Sequence, residues 1–353
     1  MTSGQPERRW PAGGWAQSPP YPCPSVGIPV KIEGMGGIGL VLGAGGVVGQ
    51  AYHAGVLAML EHDLGWDPRK ADVIVGTSAG SITGMLLRAG IPAAELAAWT
   101  VRAPLSAEGR VLHHIAGTDL PEFPPFRPLD VLRRRPDLPG WRMLLRAAVR
   151  PTRFRPRVAA LALLAPGDHD IVEQLRMLQE AEGRSWPEQP LWVCAVRRDD
   201  ARRVVFGRPG SPEAPLHLAI AASCALPGYF APVTIGRDSY IDGGSHSPTN
   251  AAILRELQLD LVVVVSPMSG PSGLPWDLYG ASRWHAGRIA RQEVNALRRT
   301  GTKVVVFRPG PAEHEVMGND LMAKDRVDEI VQQAFIGAGA HAAEPHVRKI
   351  LLS

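Results

Sequence analysis

Residues 37 to 92 carry the pattern that most restricts the fold: two apolar runs each end in a small-residue turn and pass into a helical stretch. Gly37-Ile38-Gly39-Leu40-Val41-Leu42 reads as a buried strand and Gly43-Ala44-Gly45-Gly46 as the turn, with a helix from about Gln50 to Leu64 stopped by Gly65. Asp72-Val73-Ile74-Val75 is a second strand, Gly76-Thr77-Ser78-Ala79-Gly80 its turn, and the next helix runs to Arg88, closed by Gly90 and Pro92. A strand–helix–strand unit makes its two strands parallel and lays helices on the sheet faces, because a parallel return needs a crossover of about a dozen residues or more.

The rest of the chain extends this frame. Strands are expected near Leu191 to Val196, Arg203 to Phe206, Leu261 to Val265 and Lys303 to Phe307, with a helical region after about Met322. Residues 1–34, rich in Pro, Gly and Trp and without period, read as an irregular arm, and 35–345 as the folded domain. Residues 105–170 break the α/β rhythm with prolines, arginines and aromatics such as Trp141 and Phe154, and read as an inserted lid or cap. The expected fold is α/β: a three-layer α/β/α sandwich around a mainly parallel sheet. An apolar fraction of 45% over 353 residues suffices for its core.

Chemistry enters at the two turns. In G-x-S-x-G, the glycines Gly76 and Gly80 leave room for a sharp strand-to-helix turn, and Ser78 projects at the start of the helix, where free amides and the helix dipole favour negative charge. Read alone, these five residues serve equally well as a small-residue turn. The earlier loop, Gly43 to Gly46, offers outward amides of the kind that hold an oxyanion. A dinucleotide site is disfavoured, since the third glycine of G-x-G-x-x-G falls on Val48 and the next glycine is Gly49, and the Lys-Ser/Thr of a P-loop is missing. For a base, His246 is the one histidine in a prepared loop. Tyr240-Ile241-Asp242-Gly243-Gly244 offers instead a carboxylate at a strand end, although Asp-Gly-Gly by itself reads first as a tight turn.

Taken together, these segments resemble the patatin-like phospholipase family, whose members use a Ser-Asp dyad. The resemblance rests on Gly43-Ala44-Gly45-Gly46-Val47-Val48-Gly49, on Gly76-Thr77-Ser78-Ala79-Gly80, on Asp242-Gly243-Gly244, and on the Ser-x-Ala-x-Pro-x-x-Phe-x-Pro segment from Ser223 to Pro232. It implies Ser78 as nucleophile, Asp242 as base, and the amides of Gly45, Gly46 and Ala44 as the oxyanion hole, with Gly43, Gly49, Gly76, Gly80, Gly243 and Gly244 as motif glycines. It also implies hydrolysis of phospholipid, lysophospholipid or acylglycerol esters through an acyl-enzyme, with no metal or other cofactor. The sequence departs from the family at Val48, where an Arg or Lys is common, at Ala44 in place of glycine, and by one extra residue before Gly55-Val56-Leu57. A histidine-based esterase using His246, or a catalytically silent lipid-binding protein, are the competing classes.

Composition limits partners and place. Residues 127 to 157 hold ten arginines against Asp130 and Asp137, although the whole chain is only +4. Within that stretch Trp141, Met143, Leu144, Leu145 and Val149 interleave with Arg142, Arg146 and Arg150, the composition of an interfacial helix attracted to an anionic membrane. The same letters also fit a solvated surface helix docked by Leu and Met. No motif frames the arginines for nucleic acid. Cys23, Cys194 and Cys224 are too few and too scattered for a disulfide framework or zinc cluster, no apolar run spans a bilayer, and no secretory pattern opens the chain. The expectation is a cytoplasmic protein, peripheral at the membrane. His53 and Cys194 read as packing residues, and Asn250 as the start of a helix behind Asp242.

Overall fold

Among the described residues, eight strands form one sheet in which the first, second, third, seventh and eighth are all parallel. The computed structural model describes residues 37–117, 123–124, 135–138, 141–149, 155–173, 185–270 and 278–352. The expected arm at 1–34, Phe154, Arg150 and much of the 105–170 insertion lie outside these residues.

In chain order the elements are β1 (Ile38–Leu42), α1 (Gly46–Leu64), β2 (Val73–Thr77), α2 (Ala79–Arg88), α3 (Ala93–Thr100), α4 (Val111–Ala116), α5 (Trp141–Val149) and α6 (Pro156–Ala162). There follow β3 (Leu191–Arg197), β4 (Arg202–Phe206), α7 (Leu216–Cys224), β5 (Val233–Ile235), β6 (Asp238–Asp242), β7 (Leu261–Val265) and α8 (Leu278–Arg298). The chain closes with β8 (Lys303–Phe307), α9 (Pro311–Met317), α10 (Val327–Ala343) and α11 (Pro345–Leu352).

Both faces of the sheet are covered, which is why its central strands are continuous apolar runs. Leu40, Leu42 and Ile74 pack on one face with Val56, Leu57 and Leu60 of α1, Leu86 of α2 and Val331 of α10. Val41, Val73, Val75, Val262 and Val264 pack on the other with Val294 and Leu297 of α8. Helix α1 is buried on nearly every side, so it lacks a polar stripe. Its approach to α10 requires Gly55, where a Cβ would stand 2.3 Å from the Val331 carbonyl oxygen.

The helix after the first glycine loop starts at Gly46, not at Gln50 as the sequence suggested. Gly46 and Gly49 therefore sit in its first turn and the loop is only three residues long. The expected helix behind Asp242 is a short 3-10 turn at Ala251–Glu256, led by Asn250 in the left-handed region at φ 53°.

Candidate active site

The end-to-end meeting of two strands creates the site. Strand β3 gives one edge to β4 and the other to β2 and β6 in succession: Leu191 to Cys194 pair with β2, Ala195 to Arg197 with β6. Because β2 runs parallel to β3 and β6 antiparallel, their C-terminal ends face each other, Thr77 opposite Cys194 and Asp242 opposite Ala195. Residues 164 positions apart in sequence are thus brought to one point.

At the end of β2 the chain turns on Ser78, whose φ of 53° and ψ of −125° place a non-glycine residue in a strained region. Such geometry costs on the order of 1–3 kcal/mol and persists only where neighbours hold it. Here the Ser78 N–H donates to Ser223 Oγ at 2.9 Å, and Ser223 in turn donates to the Cys194 carbonyl at 2.7 Å. On the other side, the Ser81 N–H and hydroxyl both donate to the Ser78 carbonyl at 2.7 Å. The flanking glycines are required for space: a Cβ on Gly76 would lie 2.5 Å from Ser81 Cα, and one on Gly80 2.0 Å from the Leu42 carbonyl oxygen.

The Asp242 carboxylate accepts a hydrogen bond from the Gly244 N–H at 2.6 Å, and the Ser78 hydroxyl lies near enough to favour its charged form. Its own N–H donates to the Ala225 carbonyl at 2.8 Å. Both residues are enclosed, Ser78 being 9% and Asp242 4% exposed. Burial pushes the Asp242 carboxyl up to about 6, against the opposing pull of the nearby Ser78 hydroxyl and the Gly244 N–H. Gly243 is a close approach, since a Cβ there would stand 2.1 Å from the Cys194 carbonyl oxygen. The Cys224 thiol, held protonated by burial and then by the Asp242 charge, borders Ser78 and Ser81.

The glycine loop leaves the sheet beside this pair, because Leu42 is in register with Gly76. A Cβ on Gly244 would lie 3.2 Å from the Ala44 methyl, so the loop and the Asp-Gly-Gly turn touch. The Gly45 and Gly46 N–H groups meet no acceptor among the described residues, as expected at a helix start. Ala44 departs from the expectation: its N–H donates to the Pro248 carbonyl at 2.8 Å and is not free to hold another acceptor. Gly43 N–H continues the sheet by donating to Val265. Gly46, at φ +62°, has Leu321 against it: a Cβ would sit 2.5 Å from that carbonyl oxygen. Val48 is buried in the core and presents nothing to the site.

No histidine among the described residues hydrogen-bonds Ser78 or Asp242. His246 is pushed down to about 3 by burial and by Arg203, Arg155 and Arg146, which leaves it neutral, and its Nδ1 meets no hydrogen-bond partner among the described residues. His53 is fully buried under α2, 3.4 Å from Thr83 Oγ1, as a packing residue. Cys194 is core, its thiol raised to about 12 by burial. Among the described residues no group of three His, Cys, Asp or Glu is arranged to hold a metal.

Sequence reasoning missed the polar scaffold behind the pair. Asn250, fully buried, donates through Nδ2 to Thr77 Oγ1 at 3.1 Å, to the Ser247 carbonyl at 2.8 Å and to the Gly243 carbonyl at 3.4 Å, and accepts from Arg203 at 3.2 Å. It therefore ties the residue before Ser78 to the residue after Asp242. Glu293 of α8 anchors the same loop, accepting from Thr249 Oγ1 at 2.6 Å and the Ala251 N–H at 2.9 Å. The one signal available was the dense run of short polar residues from Ser245 to Asn250 after the Asp-Gly-Gly turn.

A mainly parallel α/β sheet thus carries a strained serine on a strand-to-helix turn, with a buried carboxylate and a glycine loop brought to the same end. The model of the patatin-like phospholipase family matches residues 40–255, a span that holds Ser78, Asp242 and the glycine loop, and the chain belongs to that family. No curated protein matches the chain. Among solved structures it is similar to human GIVD cytosolic phospholipase A2, at 11% identity and a TM-score of 0.41, over 89% of this chain and 62% of that one. It is also similar to VipD from Legionella pneumophila, at 12% identity and a TM-score of 0.33, over 85% of this chain and 67% of that one. The chain thus spans less than two thirds of the human phospholipase chain.

Proposed function

We propose that the protein is a serine lipid acyl hydrolase that cleaves fatty acyl esters of phospholipids, lysophospholipids or acylglycerols through a Ser78–Asp242 dyad. The observation that carries this reading is the strained Ser78 set beside the buried Asp242 carboxylate, next to Gly45 and Gly46 amides that meet no acceptor among the described residues.

Ser78 Oγ attacks the ester carbonyl while its proton passes to Asp242. A carboxylate raised to about 6 is a better proton acceptor than an exposed aspartate, so burial narrows the gap to the serine hydroxyl. The tetrahedral oxyanion is stabilised by the Gly45 and Gly46 amides, a contribution of roughly 3–4 kcal/mol per donor in comparable sites. On collapse Asp242 returns the proton to the leaving alcohol, leaving the acyl group on Ser78. Water then attacks, Asp242 takes its proton, and the fatty acid departs as Ser78 is reprotonated.

The test is turnover of a phospholipid, a lysophospholipid and a monoacylglycerol by wild type, Ser78→Ala and Asp242→Asn. The reading requires release of free fatty acid from at least one of them by wild type and loss of that release in both variants. Turnover that survives Ser78→Ala rules it out.

A further inference from the structure

Helix α5 presents the wrong face to water. Leu138, Trp141, Leu144, Leu145 and Val149 are 52 to 91% exposed, and they make up five of the eight large apolar side chains exposed among the described residues. The four within the helix fall on one stripe, at i, i+3, i+4 and i+8. Opposite them, Met143 is buried with Val158, Ala159 and Ala162 of α6, Val196 of β3 and Ile241 of β6. Arg142 reaches inward to Asp238 at 3.0 Å and Asp199 at 3.5 Å, besides lying 5.8 Å over the Trp141 ring, and Arg146 donates to the Asp200 carbonyl at 2.6 Å. The arginines that the sequence suggested as membrane contacts instead hold the helix to two acidic turns, with the apolar stripe outward.

Position and charge name the occupant. Val196 and Ile241 lie beyond the level of Thr77 and Cys194, so α5 sits on the part of the sheet that projects past Ser78, at the same end as the candidate site. Arg155 also donates to the His246 carbonyl at 3.4 Å, four residues after Asp242. The surrounding stretch, 127 to 157, is strongly basic, and one of its two aspartates, Asp137, is already paired with Arg198. An apolar stripe with a tryptophan, set in a stretch of net positive charge, matches an anionic bilayer, which the charge of the stretch attracts and whose acyl region takes the apolar side chains.

We infer that the outward stripe of α5 inserts into an anionic lipid surface and brings the Ser78 end of the sheet to the membrane. The inference rests on the lipid acyl hydrolase reading and gives it a docking surface. It requires no membrane span, and no helix among the described residues is long and apolar enough to make one.

The experiment is flotation of the full chain with vesicles of phosphatidylcholine alone or mixed with phosphatidylglycerol. It compares wild type, the quadruple variant Trp141→Ser/Leu144→Ser/Leu145→Ser/Val149→Ser, and a control, Leu257→Ser/Ile336→Ser, that changes exposed apolar residues elsewhere. Turnover of a soluble short-chain p-nitrophenyl ester and thermal unfolding are measured on each. Wild type and control should float with the mixed vesicles, and part of that binding should survive about 1 M salt, where screening acts within roughly 3 Å. The quadruple variant should lose at least ~100-fold in partitioning while keeping its soluble-ester turnover and melting temperature. Equal flotation of the quadruple variant overturns the inference, as does a wild type that ignores anionic vesicles. So does conversion of a wild-type dimer to a monomer by the four serines without vesicle binding, which makes the stripe a self-association surface. If stripe-dependent flotation occurs but no ester is turned over by wild type, the surface stands and the hydrolase reading fails.

Discussion

Replacing Asp242 with asparagine should abolish turnover and at the same time stabilise the fold. The carboxyl is pushed from 3.8 to about 6 by burial, so the folded state favours its protonated form. The sign follows from linkage: below about pH 4 the group is protonated in both states and costs nothing, whereas between pH 4 and 6 the unfolded chain ionises while the folded chain resists. Stability is therefore lost as pH rises through that window, and above pH 6 the full cost is present. A shift of roughly 2 units at about 1.4 kcal/mol each amounts to about 3 kcal/mol, an order-of-magnitude figure. Asparagine has nearly the same shape, can still accept the Gly244 N–H through Oδ1, and carries no charge to desolvate. Thermal unfolding of wild type and Asp242→Asn across pH 4 to 8 should show the variant melting several degrees higher at pH 8 and the gap closing towards pH 4. A gap that is independent of pH, or a variant that melts lower at pH 8, refutes the argument that the carboxylate is held ionised against its surroundings.

Three further outcomes follow from the same geometry. With a soluble ester, kcat/KM should rise with pH through an apparent pKa about 2 units above an ordinary aspartate, because the base works only when ionised; a limb near pH 4 contradicts this. Ser223→Ala leaves the buried Ser78 amide without its partner, at about 1–3 kcal/mol, and should lower both the melting temperature and kcat as the strained turn relaxes. Asn250→Ala should destabilise by a comparable amount and depress kcat more than it raises KM, while Asn250→Asp, which keeps the Arg203 contact but not the three donated bonds, should restore stability only in part.

The legible parts of the molecule were those written in local chemistry. β1, β2, β3, β7 and β8 are apolar runs bounded by turn residues, and their positions in the structure agree with the sequence reading to within about two residues, a margin usual for element ends. Gly76 and Gly80 were argued from lack of room, and the distances to Ser81 and Leu42 give that reason. The start of α1 was misjudged by four residues because a glycine-rich first turn looks like loop, although its free amides depend on its being helix. Helix α8 was not anticipated: its sequence is polar, and it is held by Val294, Leu297 and the Glu293 anchor, contacts that exist only after folding. The orientation of α5 was open for a similar reason. Alternating arginines and apolar residues suit either facing, and the choice is made by Asp199, Asp200 and Asp238, which arrive from elsewhere in the chain. Asp242 was reached through motif resemblance, since Asp-Gly-Gly alone reads as a turn; the register of β6 on β3 supplies the physical reason it meets Ser78.

The central claim, that Ser78 is a nucleophile served by Asp242, is tested most directly by reaction with a fluorophosphonate followed by mass spectrometry of the modified peptide. The account predicts one adduct, on Ser78, formed quickly by wild type, absent from Ser78→Ala and slowed at least ~100-fold in Asp242→Asn. An adduct on another serine, labelling that survives Ser78→Ala, or an unchanged rate in Asp242→Asn contradicts it.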